Sequence, residues 1–137
     1  MRLPLPAVKR LLDEARLPVA DLTEAHLENF LGRNQGDELE GVVGLELYPP
    51  IALLRSLAVV PSVRGRGVGR ALLADAEQYA RDHEVKDIYL LTTTAERFFA
   101  RAGYERVARE SAPREIQETQ EFSTLCPTTS TVMRKRL

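Results

Sequence analysis

The sequence predicts a mixed α/β domain in which one sheet is flanked by helices. Segments of period-two apolar alternation are interleaved with segments of helical period. One segment, Ile51 to Val60, is apolar almost throughout and belongs in the middle of a sheet covered on both faces, with Arg55 and Ser56 its only polar side chains. The element order, α-(α)-β-β-β-α-β-α-β-α-β, departs from the regular βαβ alternation of a wholly parallel sheet.

Each element has a local reason. Ala7 to Leu17 carries Val8, Leu11, Leu12, Ala15 and Leu17 as a helical stripe, and Pro18 stops it. Asp21 to His26 fits one short helical turn. Phe30 to Arg33 reads as a strand, followed by the turn Asn34-Gln35-Gly36-Asp37. In Gly41 to Tyr48, Val43, Leu45 and Leu47 share one face, and Pro49-Pro50 ends the strand. Gly69 to His83 is a helix with Leu72, Leu73, Ala76, Tyr79 and Ala80 inward. Asp87 to Thr93 is a strand, and Ala95 to Ala102 a helix closed by Gly103. Tyr104 to Arg109 reads as a strand, Pro113 to Gln120 as a short helix, and Thr129 to Arg134 as the last strand.

The chain has 137 residues, of which 44% are hydrophobic and 28% charged, so residues 1–137 form one ordinary globular domain. A formal net charge of −1 gives no electrostatic case for nucleic acid or an anionic membrane surface. Cys126 is the sole cysteine; it cannot form an internal disulfide and reads as a small buried residue. His26 and His83 have no partners at metal-ligand or triad spacing, so no metal is expected. Apolar runs fall far short of the ~18 residues of a membrane span. A soluble cytoplasmic protein is the expectation.

The informative segment runs from Leu57 to Leu73. An apolar strand enters the loop Arg64-Gly65-Arg66-Gly67-Val68-Gly69-Arg70, and the loop enters a helix. Alternate glycines let a ligand approach the backbone, whose N–H groups converge on an anion together with the helix's unpaired N-terminal donors. Arg64, Arg66 and Arg70 add positive charge, so the loop reads as a pyrophosphate site. A P-loop needs Gly-Lys-Ser/Thr at the helix start, which is absent. A dinucleotide fingerprint needs a third glycine where Arg70 stands, and Asp87 precedes its strand rather than following it.

The segment resembles the acetyl-CoA signature of the GNAT acetyltransferase superfamily, Arg/Gln-x-x-Gly-x-Gly/Ala, as Arg64-x-x-Gly67-x-Gly69 after Val59-Val60-Pro61. Ala95-Glu96-Arg97-Phe98-Phe99-Ala100-Arg101-Ala102-Gly103-Tyr104 resembles that family's helix ending in Gly-Phe/Tyr. Together the two matches span Ile51 to Val107. The resemblance implies a mostly antiparallel sheet with splayed strands. It implies acetyl-CoA held by Leu57, Ala58 and Val59 along the strand, by backbone N–H groups from Arg64 to Arg70, and by Thr93 and Phe98. It also implies direct attack of an amine on the thioester. Many members place a tyrosine general acid where this chain has Phe99, and Tyr104 and Tyr89 are the nearest tyrosines in sequence. Members usually open with a strand before the first helix, for which Met1 to Pro6 is barely long enough.

Glu46 reads either as a general base or as a solvated strand carboxylate. Arg55, if buried, demands a partner: a substrate carboxylate or a structural glutamate. The run Ser111 to Pro127, with Leu54-Arg55-Ser56-Leu57 and Leu90-Leu91-Thr92-Thr93-Thr94-Ala95, resembles acetyltransferases of arsenic-resistance operons and the acetyltransferase domain of N-acetylglutamate synthases. That points to a small amino-acid-like acceptor, including arsenic or phosphorus analogues. Arg55, Ser123 and Thr124 are then candidates to recognise it. The alternatives are a non-catalytic acetyl-CoA-binding sensory module and a protein or peptide N-acetyltransferase. A homodimer is compatible with all three.

Overall fold

The computed structural model describes residues 3–125 and 129–137. In chain order these form α1 (Leu5–Glu14), a 3₁₀ turn (His26–Asn29), β1 (Phe30–Gln35), β2 (Glu38–Tyr48), β3 (Ile51–Val59), α2 (Val68–Asp82), β4 (Asp87–Thr92), α3 (Glu96–Arg101), β5 (Glu105–Arg106), α4 (Arg114–Gln117) and β6 (Thr131–Arg136). The strands make one sheet in the order β1-β2-β3-β4-β6-β5. Its pairings are antiparallel except that of β3 with β4. The expected mixed, mostly antiparallel sheet is observed.

Neighbouring residues on β2 and β3 feed different cores, because strand side chains alternate between faces. Val43, Leu45 and Leu54 pack with Leu72, Leu73, Ala76 and Ala80 of α2 and Phe99 of α3. On the opposite face Val42 and Ala58 pack with Val8, Leu11 and Leu12 of α1. Further along that face Leu53, Tyr89 and Val132 pack with Ile116 of α4 and Phe122. Strand β3 is therefore covered on both sides, as its apolar sequence requires.

Several boundaries move for identifiable reasons. Helix α1 starts at Leu5, with a proline in its first turn, and stops at Glu14 because Arg16 turns left-handed at φ 60°. The N–H of Leu17 closes that end on the carbonyl of Leu12 at 2.9 Å. The helical turn expected at Asp21 to His26 forms later, at His26–Asn29. The strand expected over Tyr104 to Arg109 contracts to Glu105–Arg106, both exposed, with one more bond from the N–H of Val107 to the carbonyl of Val132. The helix expected over Pro113 to Gln120 is the single turn of α4, followed by a wide helical turn at Glu121–Leu125. Strand β6 runs Thr131–Arg136, later than the predicted Thr129 to Arg134.

Two departures from regular pairing shape the sheet. Gly44 pairs with Arg55 and Val42 with Ala58, so Ser56 and Leu57 together oppose Val43 in a bulge. Ser56 takes φ 61°, a conformation that strains a residue with a Cβ. The parallel ladder between β3 and β4 holds Ile51 to Leu53 against Asp87 to Tyr89 and goes no further. Past those residues the two strands part.

Candidate active site

The parting of β3 and β4 opens a cavity of about 1090 Å³. Leu54 to Val59 form one wall and Leu90 to Thr94 the other. Phe98 and Phe99 of α3 and Gly69 of α2 line one end, with Arg64. Asp13 of α1 and Ala15 to Pro18, just after it, also line the cavity, with Glu121 and Ser130. One volume thus joins the start of α2, the bulged strand and the C-terminal segment.

The loop before α2 has the geometry of an anion cradle. Gly65 and Gly67 both adopt φ 84°, and a Cβ on either would meet nothing within 4 Å, so their value lies in the backbone conformation. Gly67 is the N-cap of α2, and no side chain caps the helix. The first intrahelical bond comes from the N–H of Ala71 to the carbonyl of Gly67 at 3.0 Å. The N–H groups of Val68, Gly69 and Arg70 therefore precede the intrahelical ladder, at the positive end of a helix dipole. The donors expected from the backbone of Arg64 and Arg66 are used locally instead, on the carbonyls of Pro61 and Val63 at 3.3 Å each. The Arg64 side chain folds back, its Nε donating to the carbonyl of Val59 at 3.1 Å. A phosphate fits this cradle, since open glycines, free helix donors and the exposed Arg66 and Arg70 all meet there.

Arg55 does not reach the cavity as a free cation. Its side chain is fully buried and its guanidinium is surrounded by acids. Nη1 donates to Asp21 Oδ2 at 2.5 Å and to Glu46 Oε2 at 2.7 Å. Nη2 donates to Asp21 Oδ1 at 2.8 Å. Nε donates to Ser56 Oγ at 3.0 Å and lies 2.8 Å from Glu121 Oε2. Of the two expectations for Arg55, the geometry is that of the structural pair. Burial would make Arg55 easier to deprotonate, but these acids outweigh it and hold the guanidinium charged. Burial likewise pushes Asp21 up, and the hydrogen bonds and charge of Arg55 reverse it, so Asp21 lies below its ordinary 3.8.

Glu46, expected as a possible base, stands behind Arg55 and is not among the cavity's lining residues. Its Oε1 accepts from the Tyr48 hydroxyl at 2.9 Å, and its Oε2 from Arg55. Donor atoms of Asp21, His26 and Glu46 lie within 4.8 Å of one another, and the cation that Asp21 and Glu46 share is the Arg55 guanidinium.

Other expected residues divide. Leu57, Ala58, Val59, Arg64, Gly69, Thr93 and Phe98 line the cavity. Gly65, Arg66, Gly67 and Arg70 are exposed on the loop, with Val68 half-buried beside them. Ser123 is exposed away from the lining, and the Thr124 side chain and Cys126 lie outside the described residues. Phe99, at the position that a tyrosine general acid holds in many acetyltransferases of the resembled family, lines the cavity, and its ring meets Phe98 and Tyr104 edge-on, with centroids 5.1 and 5.6 Å apart. Neither alternative tyrosine lines it: the Tyr104 hydroxyl is buried on Glu77, and Tyr89 packs in the core beneath α4. Sequence reasoning missed Asp21, Arg16 and Ser130. Only the buried Arg55, with its need for acids, signalled Asp21.

The family model "Acetyltransferase (GNAT) family" matches residues 5–108, and the chain belongs to that family. Among curated proteins it is 30% identical over 92 residues to an uncharacterized N-acetyltransferase of Chlorobaculum tepidum, covering 66% of this chain and 59% of that one. It is 30% identical over 113 residues to the amino-acid acetyltransferase of Mycobacterium tuberculosis, covering 75% and 64%. The chain therefore spans about three-fifths of the length of these relatives. Among solved structures, N-acetylglutamate synthase from Neisseria gonorrhoeae, complexed with coenzyme A and L-arginine, superposes with a TM-score of 0.82 at 21% identity, over 97% of this chain and 31% of that one. A Mycobacterium tuberculosis protein in complex with CoA gives 0.79 at 22% identity, over 97% and 93%. At these identities the superpositions establish the fold. Among the described residues, no helix is long and apolar enough to cross a membrane.

Proposed function

We propose that this chain is an N-acetyltransferase that moves the acetyl group of acetyl-CoA to the primary amine of a small amino-acid-like acceptor, glutamate or an arsenic- or phosphorus-containing analogue. The observation that carries the reading is one cavity between the parted strands, lined both by Arg64 and Gly69 of the Gly-Arg segment and by the charged residues Asp13, Arg16 and Glu121. Family membership supports the reaction, and the amino-acid acetyltransferase among the relatives supports the acceptor class. The cavity's own charge supports it too. Arg16 offers a cation to an acid group, while Asp13 and Glu121 offer carboxylates to an amine, so both ends of a zwitterion have a partner of opposite sign.

Acetyl-CoA supplies the activated acyl group, and the protein supplies position and electrostatics. The start of α2 and the two left-handed glycines would hold the pyrophosphate. The β3 edge, freed from β4 beyond Leu53, would accept the pantetheine arm along Leu57 to Val59. The bulge at Ser56 and Leu57 interrupts the ladder with β2, so backbone there is free to turn a donor toward the thioester oxygen. The amine nitrogen attacks the carbonyl carbon, the C–S bond breaks, and one proton passes from nitrogen to the departing sulfur. Phe99 cannot donate that proton, which favours one second reading, a module that binds acetyl-CoA without turnover.

The deciding experiment mixes the protein with acetyl-CoA and follows free thiol against glutamate, other amino acids, phosphinothricin, polyamines and a lysine peptide, with melting temperature recorded in parallel. Thiol release with amino-acid-like amines is expected. A ligand at 100 times its Kd stabilises by about 2.7 kcal/mol, so a melting shift without turnover on any amine favours the second reading, and neither response rejects both.

A further inference from the structure

Helix α1 ends on a residue type that its backbone does not favour. The N–H of Arg16 bonds the carbonyl of Asp13 at 3.0 Å, and the N–H of Leu17 bonds that of Leu12 at 2.9 Å. This paired closure puts the residue after the C-cap in the left-handed region, where glycine is the common choice. Arg16 stands there instead, at φ 60°. Helix α2 closes in the same way, with Glu84 at φ 66° and the N–H groups of Glu84 and Val85 on the carbonyls of Arg81 and Ala80. Such an end therefore tolerates a side chain but does not need one. The use of an arginine at position 16 lies in where its side chain stands.

Arg16 is exposed and lines the large cavity. The other cations lining that cavity are Arg55 and Arg64. Arg55 is enclosed by Asp21, Glu46 and Glu121. Arg64 is folded back on the Val59 carbonyl, beside the loop assigned to phosphate. The Arg16 guanidinium alone of the three has no hydrogen-bond or ion-pair partner among the described residues. Asp13, three residues earlier and also at the cavity, has a spacing that pairs opposite charges on a helix. The two side chains form no ion pair, since Arg16 has already left the helical conformation. Its planar fork of donors is thus open to whatever enters, and the group that matches a guanidinium fork is a carboxylate or an oxyacid of phosphorus or arsenic.

We propose that Arg16 is the specificity-determining residue for the acceptor: it grips the acceptor's acid group, the part that the sequence alone would give to Arg55. This rests on the reading above that the cavity takes an amino-acid-like amine. It adds that selection for an acid-bearing amine over a plain amine resides in one side chain, at the end of α1.

The test compares the unmodified protein with Arg16→Gly and Arg16→Lys, each first shown to be folded and cofactor-competent by its melting shift with acetyl-CoA. Thiol release is followed with glutamate and phosphinothricin, which carry acid groups, and with n-butylamine, which carries none. In Arg16→Gly the KM for the acid-bearing acceptors is expected to rise at least tenfold, with the loss in KM rather than kcat. Their preference over n-butylamine, as a ratio of kcat/KM values, should fall by a similar factor. Arg16→Lys keeps the charge without the fork and should recover part of the loss. Melting temperature separates this role from a structural one: Arg16→Gly should melt at the same temperature or higher, because glycine suits a left-handed helix end. An unchanged KM, an equal loss toward n-butylamine, or a lowered melting temperature in Arg16→Gly overturns the proposal. Each of these can occur while the unmodified protein still acetylates amino acids. Failure of the underlying reading shows instead in the unmodified protein, as no thiol release with any of the amines, and takes this proposal with it.

Discussion

The Tyr104 hydroxyl donates a 2.9 Å hydrogen bond to Glu77 Oε2, across 27 residues of sequence, in a buried spot. Lys135 Nζ reaches both Glu77 oxygens, at 3.0 and 3.1 Å, and the carbonyl of Ala102 at 2.8 Å. The network ties α2, the end of α3 and β6 together. It also takes Tyr104 out of contention as the acid that Phe99 cannot be. Tyr104→Phe should cost about 1.5–3 kcal/mol, the net worth of a hydrogen bond to a charged carboxylate, which at about 4 °C per kcal/mol is a readily measured melting shift. Acetyl transfer should be unchanged, and a loss of kcat without a loss of stability would reinstate Tyr104 as a catalytic residue.

The same tyrosine sets an alkaline limit. Burial first, and then the Glu77 charge and hydrogen bond, push Tyr104 well above its ordinary 10. The folded protein therefore retains the proton where the unfolded chain releases it. Stability is fully present below pH 10 and falls as pH rises beyond it. Urea midpoints taken from pH 8 to 11 should decline in the unmodified protein and decline less in Tyr104→Phe.

Asp21 sets an acid limit of opposite sign. Its carboxyl is held below 3.8 by Arg55 despite burial, so its contribution is present above pH 3.8 and is lost as pH falls below that value. Asp21→Asn should be less stable than the unmodified protein at pH 7, with the gap narrowing toward pH 3. Parallel urea curves at the two pH values check this, and a constant gap would place the Asp21 carboxyl at its ordinary value.

These two networks mark what the sequence does not reveal. The strand, Gly-Arg loop and helix from Ile51 to Asp82 are legible because their reasons are local: an apolar run, glycines where φ reaches 84°, and a helical stripe. Arg55 is legible as a residue in need of a partner, but two of its three acids stand 34 residues before it and 66 after it, on segments whose own patterns look like surface loops. Glu77 sits on α2 between buried Ala76 and exposed Gln78, and its buried carboxylate is met by Tyr104 and Lys135, which lie 27 and 58 residues further along the chain. Strand β5 contracts because Glu105 and Arg106 are both exposed at the sheet's outer edge, where few cross-strand contacts reward extension.

Gly69 separates cofactor binding from folding. A Cβ there would meet Phe98 and Val59 at 3.7 Å, ordinary contact, and the residue lies in the first turn of α2. Gly69→Ala should leave stability unchanged or raise it by up to about 1 kcal/mol, because alanine costs less entropy in a helix. If the phosphates approach that backbone, the same methyl group should weaken coenzyme A binding by tenfold or more. Gly67→Ala is the counterpart: it meets no atom but must adopt φ 84°, at a cost of roughly 1–2 kcal/mol. Titration calorimetry with coenzyme A alongside melting curves distinguishes them, and full-strength binding by Gly69→Ala would move the pyrophosphate elsewhere.

Arg55→Lys tests whether the acid cluster needs a fork or only a charge. The guanidinium meets its partners through Nη1, Nη2 and Nε at once, with the side chain fully buried. A lysine ammonium is a single point on a flexible stem and cannot address three directions spaced as those nitrogens are. At least one buried carboxylate then loses its partner, and breaking a buried pair in this way costs about 3–5 kcal/mol. Urea unfolding should show that loss at pH 7. It should shrink when Glu121→Gln is added, because the second change removes the acid that Nε held. A double-mutant cycle measures that coupling directly, and additive effects would mean that Arg55 and Glu121 act independently.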